Sequence, residues 1–151
     1  DMGLVSEAGM PAVADPGSSV VRAAHELGIA VQPLVGPVSL MLALAASGLN
    51  GQDFAFAGYL AQHAGERTRQ IQELSRAVHH SGQTRILIET PYRNPALLEA
   101  LVTGLDIRLR LCVASGLTLP GGKIHCATVS NWRQHRWPIA DRLPAIFLIG
   151  R

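Results

Sequence analysis

Apolar residues come in short blocks separated by glycine, proline and polar runs, and the period inside a block changes along the chain. A run from Gly3 to Val5 predicts a buried strand over residues 2–6, followed by a small-residue loop from Ser6 to Pro11. Val20, Val21, Ala24 and Leu27 then recur at helical spacing and predict a helix over residues 16–27. Asp15 is placed to cap it, Pro16 to take its first position and Gly28 to stop it. Residues 29–34 predict a second short strand. From Pro37 or Val38 a further helix carries Leu40, Met41, Leu44 and Ala45 and ends at Ser47-Gly48. Strand, helix, strand and helix at these lengths argue a parallel sheet.

The polar connection from Leu49 to Asp53 divides the chain into domains 1–50 and 51–151. Beyond it, strands are predicted over residues 54–58, 84–89 and 144–149, with a helix over 67–79 whose apolar stripe is Ile71, Leu74 and Val78. Asn94 is expected to cap a helix over 95–103, and Ser130 a short one running through Arg136. Residues 108–114 alternate, with Arg108 and Arg110 outward and Leu109, Leu111 and Val113 inward. Residues 123–129 alternate too, and pair with them as a hairpin across Leu119-Pro-Gly-Gly. The class is α/β, with a parallel sheet first and mixed strand order afterwards.

Composition narrows the functional classes. With 151 residues, 48% apolar and 16% charged, the chain has ample core for one domain or two small ones. A net charge of +2 permits a local nucleic-acid patch without advertising one. Arg67, Arg69, Arg76 and Arg85 form such a patch on paper, but Glu66 and Glu73 interleave, as on any solvated helix. His79-His80 completes a helix C-terminus. Residues 29–49 are the most apolar stretch, yet Gln32, Pro33, Gly36 and Pro37 interrupt it, whereas a membrane span needs about 20 apolar residues in a row. No membrane segment is expected. Cys112 and Cys126 make no disulfide framework, which favours a reducing cytosol. His125-Cys126 beside Cys112 lacks a second close-spaced ligand pair, so buried thiols rather than a metal site are expected.

The stretch with most chemical content runs from Ser6, Ser-Glu-Ala-Gly-Met-Pro-Ala-Val-Ala-Asp-Pro-Gly, followed by Val21-Arg-Ala-Ala-His and Val35-Gly-Pro-Val-Ser. A strand, a glycine loop and a helix N-terminus make a ligand crevice at the carboxyl end of an α/β sheet. On these residues the chain resembles the tetrapyrrole methylase superfamily of S-adenosylmethionine-dependent methyltransferases. Its nearest likeness is the branch that methylates a ribose 2′-hydroxyl of 16S rRNA. The resemblance implies a parallel-sheet N-terminal domain, of which this chain holds the last part. A mixed-sheet α/β C-terminal domain is implied to face it across a cofactor cleft. It also implies a fragment lacking the strands that come first, binding cofactor poorly alone and associating through the edge left exposed.

Carried over residue by residue, the resemblance places S-adenosylmethionine against Glu7, Ala8, Gly9, Met10 and Pro11, and against Pro37, Val38 and Ser39. Glu7 stands where the family usually has aspartate, and Ser39 is placed to donate to the cofactor carboxylate from a helix N-terminus. Glu89-Thr-Pro-Tyr-Arg93 resembles the family's Glu-Ser-Pro-His-Arg, with Tyr92 at the histidine position. Pro144, Ala145 and Ile146 resemble the strand that walls the adenine. Glu89 is thus a candidate both for cofactor contact and, with Tyr92, Arg93 and Thr118, for catalysis. Ala114-Ser-Gly-Leu-Thr-Leu119 departs from the ribosomal branch's Ala-Arg-Glu-Leu-Thr-Lys, keeping only Leu117 and Thr118 of the part after the alanine.

The expected function is therefore methyl transfer from S-adenosylmethionine, with S-adenosylhomocysteine as product, to rRNA in the small ribosomal subunit or to a related acceptor. A cytoplasmic homodimer is expected. The alternatives are a tetrapyrrole C-methyltransferase and a non-catalytic cofactor- or RNA-binding module that lost its charged acceptor loop.

Overall fold

The last apolar run of the chain, Ala145–Gly150, is buried at all six positions and lies between strands that precede it by many residues. In the computed structural model, which describes every residue except 1, 8, 136, 140 and 141, the chain forms two compact units, residues 1–39 and 40–151.

In the second unit the strands are β1 (Phe54–Gly58), β2 (Thr84–Glu89), β3 (Arg110–Ser115), β4 (Lys123–Thr128) and β5 (Ala145–Gly150). They form one mixed sheet in the order β1-β2-β5-β3-β4. β1 and β2 are parallel, a pairing that requires a crossover, supplied by helix α3 (Ala64–Ser81). β5 inserts antiparallel to both β2 and β3, and β3 and β4 form the expected hairpin.

Leu87, Leu111, Val113, Phe147 and Ile149 bury one face of the sheet. They pack with Ile71 and Val78 of α3, Leu97 and Leu101 of α4 (Asn94–Gly104), and Val129 and Trp132 of α5 (Val129–Gln134). On the other face Ile86, Cys112, Ala114, Ile146 and Leu148 are buried as well. Leu49 closes this face at β5: a Cβ on Gly150 would come within 3.0 Å of its Cδ2. Two buried faces explain why β5 reads as an unbroken apolar run rather than an alternation.

Several helix and strand ends differ from the sequence pattern. Asn94 does not cap α4; it is buried in the first turn and donates from Nδ2 to the Leu143 carbonyl at 3.0 Å. The cap of α5 is Thr128, whose Oγ1 accepts from the Asn131 N–H at 3.2 Å, and not Ser130, whose N–H donates to the Ile107 carbonyl. α5 ends at Gln134, and Arg136 lies outside the described residues. Arg108 belongs to a turn before β3, not to the strand. Its guanidinium forks onto Asp106 at 3.1 and 2.9 Å.

The first unit carries the largest differences. Residues 2–6 and 29–34 join no ladder, because a strand exists only with a hydrogen-bonded neighbour and neither segment has one. Val5 and Val35 are fully or almost fully exposed. Helix α1 (Ser18–Glu26) starts two residues after Pro16. Turns over 12–17, with Ala12, Ala14 and Gly17 at positive φ, delay it, so Asp15 caps nothing and Gly17 takes the cap position. Helix α2 (Ser39–Ser47), which apart from its first residue belongs to the second unit, buries Leu40, Ala43, Leu44 and Ser47. Met41 and Ala45 face outward, since an almost wholly apolar helix gives its sequence no unique inner face.

Phe147→Ala should destabilise the protein by about 3–5 kcal/mol, whereas Ile124→Ala on the outer strand should cost less than about 1 kcal/mol. Urea midpoints at unchanged slope check both.

The fork from Arg108, then its backbone N–H, and lastly His79 at 3.1 Å hold the Asp106 carboxyl well below the ordinary carboxylate range. A carboxylate depressed on folding adds stability above its unfolded pKa and loses it as the pH falls through the folded value. Asp106→Asn should therefore be less stable than the native protein near pH 7, with the gap narrowing by about pH 2. Urea melts at the two pH values measure it.

Candidate functional site

Two loops of the first unit meet. The Met10 N–H donates to the Pro37 carbonyl at 2.9 Å, which ties the Ser6–Pro11 loop to the Gly36-Pro37-Val38 bend. Gly9 sits at φ +144°, and a Cβ there would lie 2.7 Å from the Pro37 oxygen. A glycine is required both for the conformation and for the approach. A Cβ on Gly36 would touch Met10 at 3.9 Å. Glu7, Pro37 and Ser39 are exposed around this contact, while Gly9, Met10, Pro11 and Val38 are half-buried. Ala8 lies outside the described residues. Ser39 is the first residue of α2, where unpaired N–H groups favour an anion.

In the second unit the carboxyl end of β2 forms a cluster. Glu89 Oε1 accepts from the Thr90 N–H at 2.7 Å and from Arg93 Nε at 3.1 Å and Nη2 at 2.8 Å. The Glu89 side chain is only 7% exposed, so the ion pair is a nearly buried fastening of the Pro91–Arg93 turn. The Arg93 guanidinium also lies 5.4 Å from the centre of the Tyr92 ring, whose side chain is largely exposed.

Register sets a row across the end of the sheet: Glu89 opposes Ala145, Ala145 opposes Ser115, and Ser115 opposes Lys123. Lys123, the chain's single lysine, was invisible as a site residue because nothing in its own neighbourhood marks it. Pro144 joins the cluster through its carbonyl, which accepts from the Gly116 N–H at 2.9 Å. Ala145 and Ile146 are buried in β5.

Thr118 is not brought to this row. Its hydroxyl donates to the Leu117 carbonyl at 2.6 Å, and it sits exposed in the hairpin turn at φ +67°, an unusual conformation for a β-branched residue. The turn itself is closed. Gly116 is buried at φ +61°, and a Cβ there would meet Leu143 Cδ1 at 2.6 Å, while a Cβ on Gly122 would run into the Gly116 carbonyl.

Of the four arginines expected to make a basic patch, Arg85 lies on β2 and the other three have partners close by in the chain. Arg67 bonds the Gln62 carbonyl, Arg76 the Gln72 carbonyl, and Arg69 stands 4.0 Å from Glu73. Among the described residues no group of three or more metal-ligating side chains is assembled. No described helix is long and apolar enough to cross a membrane.

The mixed sheet with its helices is the fold of solved tetrapyrrole methyltransferases. The methyltransferase CobJ aligns with a TM-score of 0.58 at 19% identity, over 94% of this chain and 61% of that one. Uroporphyrin-III C-methyltransferase from Thermus thermophilus, solved with S-adenosylhomocysteine, aligns with a TM-score of 0.51 at 19% identity, over 94% and 62%. The family model for tetrapyrrole (corrin/porphyrin) methylases matches residues 2–131, and the chain belongs to that family. Within it the chain sits on the branch of ribosomal RNA small subunit methyltransferase I. It is 40% identical to the Pseudomonas aeruginosa protein of that name over 71% of this chain and 36% of the relative. The Synechocystis protein is 38% identical over 78% and 41%, and the Mesorhizobium japonicum protein 35% identical over 87% and 44%. The matched part of the chain thus spans less than half the length of these curated relatives.

Arg93→Ala leaves the Glu89 carboxylate nearly buried without its guanidinium and should cost about 1–3 kcal/mol of stability. The double variant Glu89→Gln/Arg93→Ala should recover part of that loss, and a urea double-mutant cycle measures the coupling.

Proposed function

We propose that the protein carrying this chain is a methyltransferase that moves a methyl group from S-adenosylmethionine to a ribose 2′-hydroxyl of small-subunit rRNA. The observation that carries this is the meeting of the two loops through Met10 and Pro37, with no room for a side chain at Gly9. A glycine cradle closed by a backbone hydrogen bond suits close approach of a nucleotide cofactor. The relatives named above support the acceptor.

S-adenosylmethionine, when bound, supplies a methyl already activated on a sulfonium, so the protein has to bind and align rather than activate. Glu7, Gly9, Met10 and Pro11, with Pro37, Val38 and Ser39, would hold it; Ala8 belongs to the same loop. Ser39 and the first N–H groups of α2 favour its carboxylate. In the second unit the family pattern assigns cofactor contact to Glu89, Pro144, Ala145 and Ile146. Arg93, fixed by Glu89, offers a guanidinium for an RNA phosphate, and the exposed Tyr92 ring offers a stacking face to a base. The reading carries with it a cytoplasmic location, a homodimer and the small ribosomal subunit as partner.

One observation favours a second reading. The closed turn at Gly116 puts a glycine against Leu143 where the ribosomal branch carries glutamate, which fits a module that binds cofactor and RNA without turning over.

Calorimetry with S-adenosylmethionine on the full-length protein should show binding, weakened at least about tenfold by Gly9→Ala. Labelled methyl transfer should reach 30S subunits and not uroporphyrinogen. Absence of cofactor binding overturns both readings, and binding without transfer to either acceptor selects the second.

A further inference from the structure

The methyl-transfer reading makes no use of the two cysteines. Cys112 and Cys126 are both free thiols, and the β3–β4 register sets them directly opposite each other. Opposed residues of an antiparallel pair share a face and stand with Cα atoms about 4.5–5.5 Å apart, inside the range of about 4.4–6.8 Å that a disulfide spans. No backbone movement is needed to bring the sulfurs together. His125 precedes Cys126 and opposes Val113, so its side chain lies on the other face of the sheet and supplies no third ligand.

The two thiols differ in access and in charge. Cys112 is fully buried in the sheet, whereas Cys126 is half-buried on the outer strand. A hydrogen bond from Cys112 and a second from the Arg110 guanidinium, opposed by burial, bring the Cys126 thiol down to about 6. The same Cys112–Cys126 bond, with burial, pushes the Cys112 thiol up. The sulfur on the outer strand is thus the more accessible and the more acidic of the two, and the one inside the sheet the less. That is the division between an attacking and a resolving cysteine.

We propose that Cys112 and Cys126 form a thiol–disulfide exchange site, with Cys126 attacking a low-molecular-weight disulfide of the glutathione class and Cys112 resolving the product into a cross-strand disulfide. In the first step the Cys126 thiolate bonds to one sulfur of the small disulfide, whose S–S bond breaks and releases a thiolate. That thiolate takes the Cys112 proton. Cys112 then attacks Cys126 Sγ, the mixed disulfide breaks, and the second small thiolate leaves and is protonated from solvent. Two protein thiols lose two electrons and two protons, and one small disulfide becomes two small thiols. The exchange runs in both directions, its position set by the ratio of small disulfide to small thiol.

The test treats the folded protein with oxidised glutathione, quenches with an alkylating reagent and reads intact mass and peptide map. The wild type should lose both thiols together, retain no glutathione and recover both on treatment with dithiothreitol. Cys112→Ser should stop at a glutathione adduct on Cys126. Cys126→Ser should leave Cys112 unmodified until urea unfolds the chain. A wild type that keeps glutathione on Cys126 with Cys112 still alkylable overturns the proposal. So do two thiols inert in the folded protein but reactive in urea. The wild-type readout needs no variant, so a misfolding substitution does not spoil the test.

Discussion

Burial of β5 on both faces is the constraint on which the second unit depends. Ala145–Gly150 separates the parallel pair β1-β2 from the hairpin β3-β4, and its hydrogen bonds to β2 and β3 make one sheet of the two. Its odd-numbered side chains fill the core shared with α3, α4 and α5, while Ile146 and Leu148 fill the opposite face. Each neighbouring element then has its place set by contact with that strand. Trp132 does the same for α5, packing in the core and donating from its indole N–H to the Leu111 carbonyl at 2.8 Å. The single polar atom of an otherwise apolar side chain is thereby satisfied where water has no access.

The same strand organises the chemistry. Because β5 runs antiparallel to β2 and β3, the carboxyl ends of β2 and β3 come to one edge of the sheet, and the start of β5 lies between them. That is why Glu89, Ala145 and Ser115 share one row although they are far apart in the chain. The Glu89–Arg93 pair is built at that edge, and Asn94 ties the turn to the segment leading into β5 through Leu143. A site on the end of a rigid sheet, with its loops pinned by side-chain hydrogen bonds, is held more tightly than one on free loops.

Much of this was legible in the residues. All five strands and the main helices of the second unit follow the periodicity, since each buries a face against a complete core. The family motif singled out the loop at Gly9 and the segment at Pro37, and the structure joins the two by the Met10–Pro37 hydrogen bond. What failed was of two kinds. Residues 2–6 and 29–34 have the apolar character of strands, but strand formation is a property of pairs and their own residues say nothing of a partner. Asp15, Asn94 and Ser130 are good capping types, yet tertiary geometry employs Asn94 on Leu143, gives the α5 cap to Thr128 and leaves Asp15 in a turn. Lys123 enters the site row through register alone, which spacing along the chain does not reveal.

The hairpin at Gly116 sets what its position tolerates. A side chain there would have to hold a left-handed backbone, and its Cβ would meet Leu143 Cδ1 at 2.6 Å. The leucine methyl can swing aside, but the backbone conformation cannot be avoided, so every residue other than glycine carries a conformational cost at this turn.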